Sequence, residues 1–179
     1  MRVYRFRFNL FFWLAALPLL GGCASMGHKD EVLSAVRIHM AVPADTAGSQ
    51  NTMEQTVSVL RADPVLITID KQPILTEENL VAAKLIDTPD APAIELRFDE
   101  NGTWILEQYS AGNPGGHFVI FGQWGKDGKN ARWLAAPLIT QRINNGILSF
   151  TPDMSHDEAT NFVLGLQNVA KQFQSNPIE

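Results

Sequence analysis

From Ser155 to about Phe173 the chain sets Ala159, Phe162, Val163, Leu166, Val169, Ala170 and Phe173 at helical spacing, which makes one broad apolar stripe. Ser155 and Glu158 have the spacing of a capping box at its start. A helix that is apolar on one face only has to bury that face against another layer. The rest of the chain offers mainly short β-branched runs for this purpose. "AVRIHMAV" alternates around Val36, Ile38, Met40 and Val42, with Arg37 and His39 on the other face. "TVSVLRA" and "PVLITID" read as two strands bent apart at Asp63-Pro64. "PAIELRF" and "ILSFT" are further strands. The expected class is therefore α+β, a mainly antiparallel sheet with about three helices packed on one face.

Two more helices are expected. Thr76 can cap a helix over about Glu77 to Lys84, with Glu77 and Glu78 at its positive end. "NGTWILEQYSAG" reads as a short helix stopped by Gly112. "HFVIFGQW" and "ARWLAAPLI" read as a hairpin across "GKDGKN", with Asp127-Gly128 as its tight turn. A second turn falls at Asn144-Asn145-Gly146, and "PADTAGSQNTM" reads as a loop between strands.

The N-terminus carries a different message. Arg2, Arg5 and Arg7 precede the apolar run "FNLFFWLAALPLL", which is too short for a membrane span and is broken by Pro18. "LGGC" then resembles a bacterial lipobox, so residues 1–22 are expected to be a signal peptide and Cys23 a lipidation site. The alternative is a free or buried thiol. Residues 23–31 read as a tether and residues 32–179 as a single domain. Two or more acyl chains anchor a protein stably. The resemblance implies a lipid-anchored envelope protein. Ala24 and Ser25, with no Asp after Cys23, resemble an outer-membrane address facing the periplasm. Cys23 is the only cysteine, so the chain has no internal disulfide. The net charge is −5, and removal of the three leader arginines leaves −8, which argues against a nucleic-acid partner.

Most of the candidate chemistry has a structural explanation. Ser155-His156-Asp157 are consecutive, and side chains about 100° apart on a helix do not converge as a triad does. His28, His39, His117 and His156 lack metal-ligand spacing, although His39 and His117 would meet if their strands paired side by side. Glu77, Glu78, Asp99 and Glu100 sit at expected helix starts, where acids suit the dipole. "GNPGG" lacks the Lys-Ser/Thr ending of a phosphate loop. No catalytic residue, cofactor or metal is expected.

The order of "PILTEENL", "AIELRFDENGTWILEQYSAGNPGG", "APLITQRINNG" and "MSHDEATNFVLGL" resembles the head of the first periplasmic domain of the SecD and SecF protein-translocase accessory proteins, over about Thr56 to Lys171. The resemblance implies a ferredoxin-like split βαβ architecture and contact with protein or peptide, with a link to protein export. This sequence departs from the family in the longer "FGQWGKDGKNARW" and in having no counterpart of its transmembrane helices, so energy-coupled translocation is not implied. The function expected is non-catalytic protein or peptide binding. The rivals are a structural subunit of an envelope complex and a small hydrolase.

A two-residue turn at Asp127-Gly128 would pair Trp124 with Ala131 and place Gly122 opposite Trp133. Trp124 and Trp133 would then share one face beside Arg132, with Gly122 making room for the Trp133 ring. Phe121, Leu134 and Leu138 would face the core. Trp124, Trp133 and Arg132 are accordingly the candidate partner-binding residues. Alternatively, the indoles simply seal the outer face of the sheet.

Overall fold

The computed structural model describes residues 32–43, 53–89 and 91–175. The expected signal peptide, Cys23, the tether and most of the loop after Pro43 lie outside the described residues.

Nine strands and two α-helices make up the described chain: β1 Ala35–Met40, β2 Glu54–Val59, β3 Val65–Asp70, β4 Leu75–Thr76, β5 Leu80–Ile86, β6 Ala93–Phe98, α1 Glu100–Gly112, β7 Phe118–Trp124, β8 Asn130–Ala135, β9 Ile147–Phe150 and α2 His156–Ser175. The α+β class and antiparallel pairing stand. The strands form three hydrogen-bonded sets, ordered β4-β1-β7-β8, β2-β3 and β5-β6-β9, rather than one ferredoxin-like split sheet.

The helix expected over Glu77 to Lys84 is replaced by a single 3-10 turn, Glu77–Asn79, followed by a strand. The Thr76 cap is real: its hydroxyl accepts from the Glu78 N–H at 3.3 Å. Beyond that turn Leu80 to Ile86 pairs with β6, and a bulge between Leu80 and Ala82 shifts the register. The bulge turns Leu80 and Ala83 inward together, and this three-residue spacing imitates a helix.

α1 starts one residue before the expected segment. The Asp99 carboxylate accepts from the Gly102 N–H at 2.6 Å and caps it. Gly102 lets the first turn lie against β6, since a Cβ there would stand 2.8 Å from the Phe98 Cβ. α2 matches its stripe. Ala159, Phe162, Val163, Leu166, Val169 and Ala170 are buried, and Leu164, off the stripe, is exposed. Ser155 and Glu158 exchange the two capping-box hydrogen bonds, at 2.9 and 3.2 Å. This helix packs on β5, β7 and β1, so the main core lies between it and two of the sheets, around Ile38, Leu96, Ile120 and Leu134. On the opposite face of the four-stranded sheet the β2–β3 hairpin forms a smaller core of Val57, Val59, Ile69 and Val119.

Candidate functional site

The β7–β8 hairpin decides where the candidate residues go. Asp127 and Gly128 do adopt positive φ angles (57° and 63°), as a tight turn needs, but Gly125 does too (85°), and Lys126–Gly128 forms a 3-10 turn. The loop is thus longer than two residues. Trp124 pairs with Asn130, Gly122 with Arg132 and Phe121 with Trp133. This register is one residue away from the expected one, and a one-residue slip sends each side chain to the other face.

Trp124 and Trp133 therefore lie on opposite faces, and the shared indole surface does not form. Trp124 is 2 % exposed and meets Phe162 of α2 edge to face, with centroids 5.8 Å apart. Gly122 makes room for Leu134 and Phe162 rather than for Trp133, because a Cβ there would stand 2.5 Å from Leu134 Cδ1. Leu134 faces the core as expected. Phe121 instead lies on the outer face against Trp133, and Leu138 is exposed.

Arg132 joins the helix side. Its guanidinium lies 4.7 Å from the centroid of the Trp124 ring, a cation–π contact. It donates to the Asp153 carbonyl at 2.8 and 3.2 Å and to Glu158 Oε2 at 3.0 Å. Arg61 reaches the same corner and donates to Asp153 Oδ2 from Nε at 3.0 Å and from its main-chain N–H at 2.8 Å. Arg132 and the Ser155 N–H hold the Glu158 carboxyl below its usual range. Arg132 thus ties β8, and Arg61 the β2–β3 turn, to the start of α2.

Trp133 belongs to a second constellation, on the outer face. Its ring centroid lies 5.2 Å from both His39 and Phe121, edge to face in each case. His39 is buried rather than solvated, and its Nδ1 is 2.8 Å from the Asp70 carbonyl oxygen. Burial pushes its pKa down. Together with Gln55, Ile69 and Pro73 these rings line a cleft of about 290 Å³, with Arg37 and Lys71 at its rim. An aromatic floor with a cationic rim and no acid in the lining suits apolar side chains and carbonyl oxygens. Sequence reasoning missed His39, Phe121 and Ile69 here. The available signal was the alternation of β1, which already set Arg37 and His39 on one face.

Ser155 serves as a cap, and His156 Nε2 instead meets Asp87 Oδ1 at 3.1 Å on the surface, so no triad assembles from this tripeptide. His117, just before β7, has its Nδ1 2.8 Å from the Ala136 carbonyl oxygen, and His39 and His117 are thereby committed to different carbonyls. Among the described residues no cluster of three or more His, Cys, Asp or Glu could hold a metal ion. No helix among them is long and apolar enough to cross a membrane.

These features define an α+β domain of antiparallel sheets around two helices, with an aromatic cleft on its outer face. The chain belongs to the SecDF P1 head subdomain family, whose pattern matches residues 50–170. It is similar to the protein translocase subunit SecD of Rhodobacter capsulatus, with 33% identity over 100 residues, 55% of this chain. Those residues span only 17% of the length of that relative. In fold it is similar to a solved SecDF, described as a membrane component that enhances protein export. That match has a TM-score of 0.52 at 17% identity and covers 76% of this chain and 63% of the other. SecDF in its super-membrane-facing form matches with a TM-score of 0.50 at 19% identity, over 76% of this chain and 19% of the other.

Proposed function

We propose that the protein is a lipid-anchored, periplasm-facing domain that binds protein or peptide without catalysis and serves protein export. The observation that carries the binding role is the cleft around Trp133, His39 and Phe121. It offers aromatic rings packed edge to face to a partner, and basic side chains stand at its rim. Membership of the SecDF P1 head family supports the link to export. The non-catalytic reading is supported by the structural commitments of Asp99 and Ser155, which cap helices, and of Glu158, which is tied to Arg132.

A photo-crosslinking amino acid at Gln55, on the cleft rim, tests the binding role in cells exporting a periplasmic precursor. Crosslinks to the precursor are expected there and not from Glu100, at the start of α1. Equal labelling from both positions, or none from Gln55, refutes the role.

The anchor rests on "LGGC" and its position behind a short apolar run. Cys23→Ser should abolish lipid labelling and release the protein from the membrane fraction. Ala24 and Ser25 favour the outer membrane, whereas the likeness to a translocase subunit favours the inner one. Separation of the two membranes on a density gradient decides between them.

A further inference from the structure

β8 and β9 belong to different sheets, and the chain between them runs across a gap that has strand edges on both sides. On one side, the Phe98 N–H donates to the Gly146 carbonyl at 2.9 Å, which sets the phase of the β6–β9 ladder. Antiparallel ladders alternate. Gly146, Leu148 and Phe150 therefore turn their main-chain groups toward β6, and Ile147 and Ser149 turn theirs outward. The Ile147 N–H is taken by Asn145 Oδ1 at 3.1 Å. The N–H and C=O of Ser149 have no partner among the described residues.

On the other side, the Pro137 carbonyl accepts from the Phe118 N–H at 3.2 Å. The Ile139 N–H donates to the Gly116 carbonyl at 2.8 Å. These bonds turn the N–H and C=O of Leu138 away from β7. Between the two edges lies a cleft of about 340 Å³ lined by residues 137–145 and 147–149. A second cleft, of about 250 Å³, shares Pro137 with the first and lies between Ala135, Ala136 and Pro137 on one side and Phe150 and Thr151 on the other, with Leu60 of the β2–β3 turn as a further wall. The Asp153 N–H, bonded to the Leu134 carbonyl at 2.8 Å, closes the far end. The gap runs the length of a five-residue strand, roughly 16 Å at ~3.3 Å per residue, and within it the Ala136 carbonyl is already bonded to His117 Nδ1 at 2.8 Å, which leaves Leu138 as the free position on this side.

The edges of β5 and β3 are partly covered. Gln167 and Gln174 of α2 donate to the outward carbonyls of Ala83 and Val81 on β5, each at 2.9 Å. The Val42 N–H occupies the Thr68 carbonyl of β3 at 2.9 Å. Folded proteins cover edges because an open edge pairs with foreign chains.

The lining of the larger cleft also says what would fit. Arg142 is its sole charged side chain, and it is ion-paired with Glu107. Leu138, 53 % exposed, offers one apolar contact. A nearly neutral slot between main-chain edges selects for an extended backbone of low charge and is tolerant of sequence.

We propose that the gap between residues 135–139 and β9 accepts an extended segment of unfolded polypeptide, which adds as a strand to the free edges at Ser149 and Leu138. This goes beyond the Trp133 cleft, which lies on another face and would read side chains.

The test uses the full chain and a short fluorescein-labelled peptide of alternating serine and valine. A second peptide is the same but N-methylated at every second residue. Ser149→Pro removes an outward N–H without touching the ladder to β6. Ser149→Lys serves as a second edge-blocking variant should the proline variant fail to fold. The expected result is binding of the plain peptide, loss of binding on N-methylation, and about tenfold weaker binding to either variant, as the loss of one or two hydrogen bonds implies. Hydrogen exchange at Leu138 and Ser149 should slow when the peptide is bound. Protection is read at Leu138 and Ser149 alone, which line the slot and not the aromatic cleft, so that failure of the cleft and failure of the slot are told apart. Undiminished binding by the Ser149 variants, equal binding of the N-methylated peptide, or no binding at all overturns the proposal. So does protection of both amides in the free protein, since the edges would then be closed already.

Discussion

The opposed tryptophans give a sharp test of the hairpin register. Trp124→Ala removes an indole that is 2 % exposed and sits between Phe162 and the Arg132 guanidinium. At ~25 cal/mol per Å² over 150–250 Å² of buried ring, the transfer free energy comes to about 4–6 kcal/mol. The retained alanine and partial collapse around the cavity bring the expected loss to about 3–5 kcal/mol. Arg132 keeps its bonds to Asp153 and Glu158, so no buried charge is orphaned. Trp133→Ala removes a half-buried ring and two edge contacts, with His39 and Phe121. Its cost should be about 1–2 kcal/mol. Urea unfolding measures both, and the midpoint should shift far more for Trp124→Ala at an unchanged slope. Under the two-residue turn, the two rings would be near-equivalent diagonal neighbours. Equal losses, or a larger loss at Trp133, would refute the register and with it the assignment of the outer cleft.

Leu166→Ala should cost about 2–5 kcal/mol and Leu164→Ala much less, by the same urea titration, because the first is fully buried in the stripe of α2 and the second is half exposed. Gly122→Ala should destabilise by about 1–3 kcal/mol through crowding against Leu134 and Phe162, with a lowered midpoint in thermal unfolding. His39 is held below its ordinary value of 6.5 by burial, so as pH falls the unfolded chain takes up the proton first. Its contribution to stability is therefore complete above 6.5 and is lost as pH drops through that value to the lower folded one. His39→Gln should flatten the dependence of unfolding free energy on pH as pH falls below 6.5, and an unchanged slope there would remove His39 as its source.

What was legible in the sequence divides along physical lines. α2 was readable because its capping box, its stripe and its exposed Leu164 are all local and agree with one another. The Thr76 cap was equally readable, but what followed it was not. The sequence after a cap reports where a first turn starts, and here the pairing of β5 with β6 overrode its continuation. The turn positions were legible for the same reason as α2, since Gly128 and Gly146 both have positive φ angles, but the two-residue length expected at Asp127-Gly128 was not, because Gly125 extends that loop. The family was legible because it resides in the order of capped helices, strands and turns, which survives local errors of a residue or two. The matched residues 50–170 coincide closely with the resemblance noted from Thr56 to Lys171.

The site was harder than the fold because it depends on parity. A strand has period two, so a loop longer by one residue, or a single bulge, exchanges inside for outside along a whole strand. Both devices occur here. The bulge in β5 makes a strand imitate a helix, and the longer loop of the β7–β8 hairpin moves Trp124 into the core while leaving Trp133 outside. The composition of the hairpin is the same in either register, and so is its hydrophobicity. What changes is the company each ring keeps: Trp133 gains His39 from β1 and a wall from the β2–β3 hairpin, and those contacts create the cleft. The same parity governs the gap beside β9, where the carbonyl of Gly146 faces inward and the main chain of Ser149 is therefore left facing out. Both candidate surfaces of this domain are thus consequences of strand phase, and a variant that inserts one residue into the Gly125–Lys129 loop should rebuild the first of them without disturbing the second.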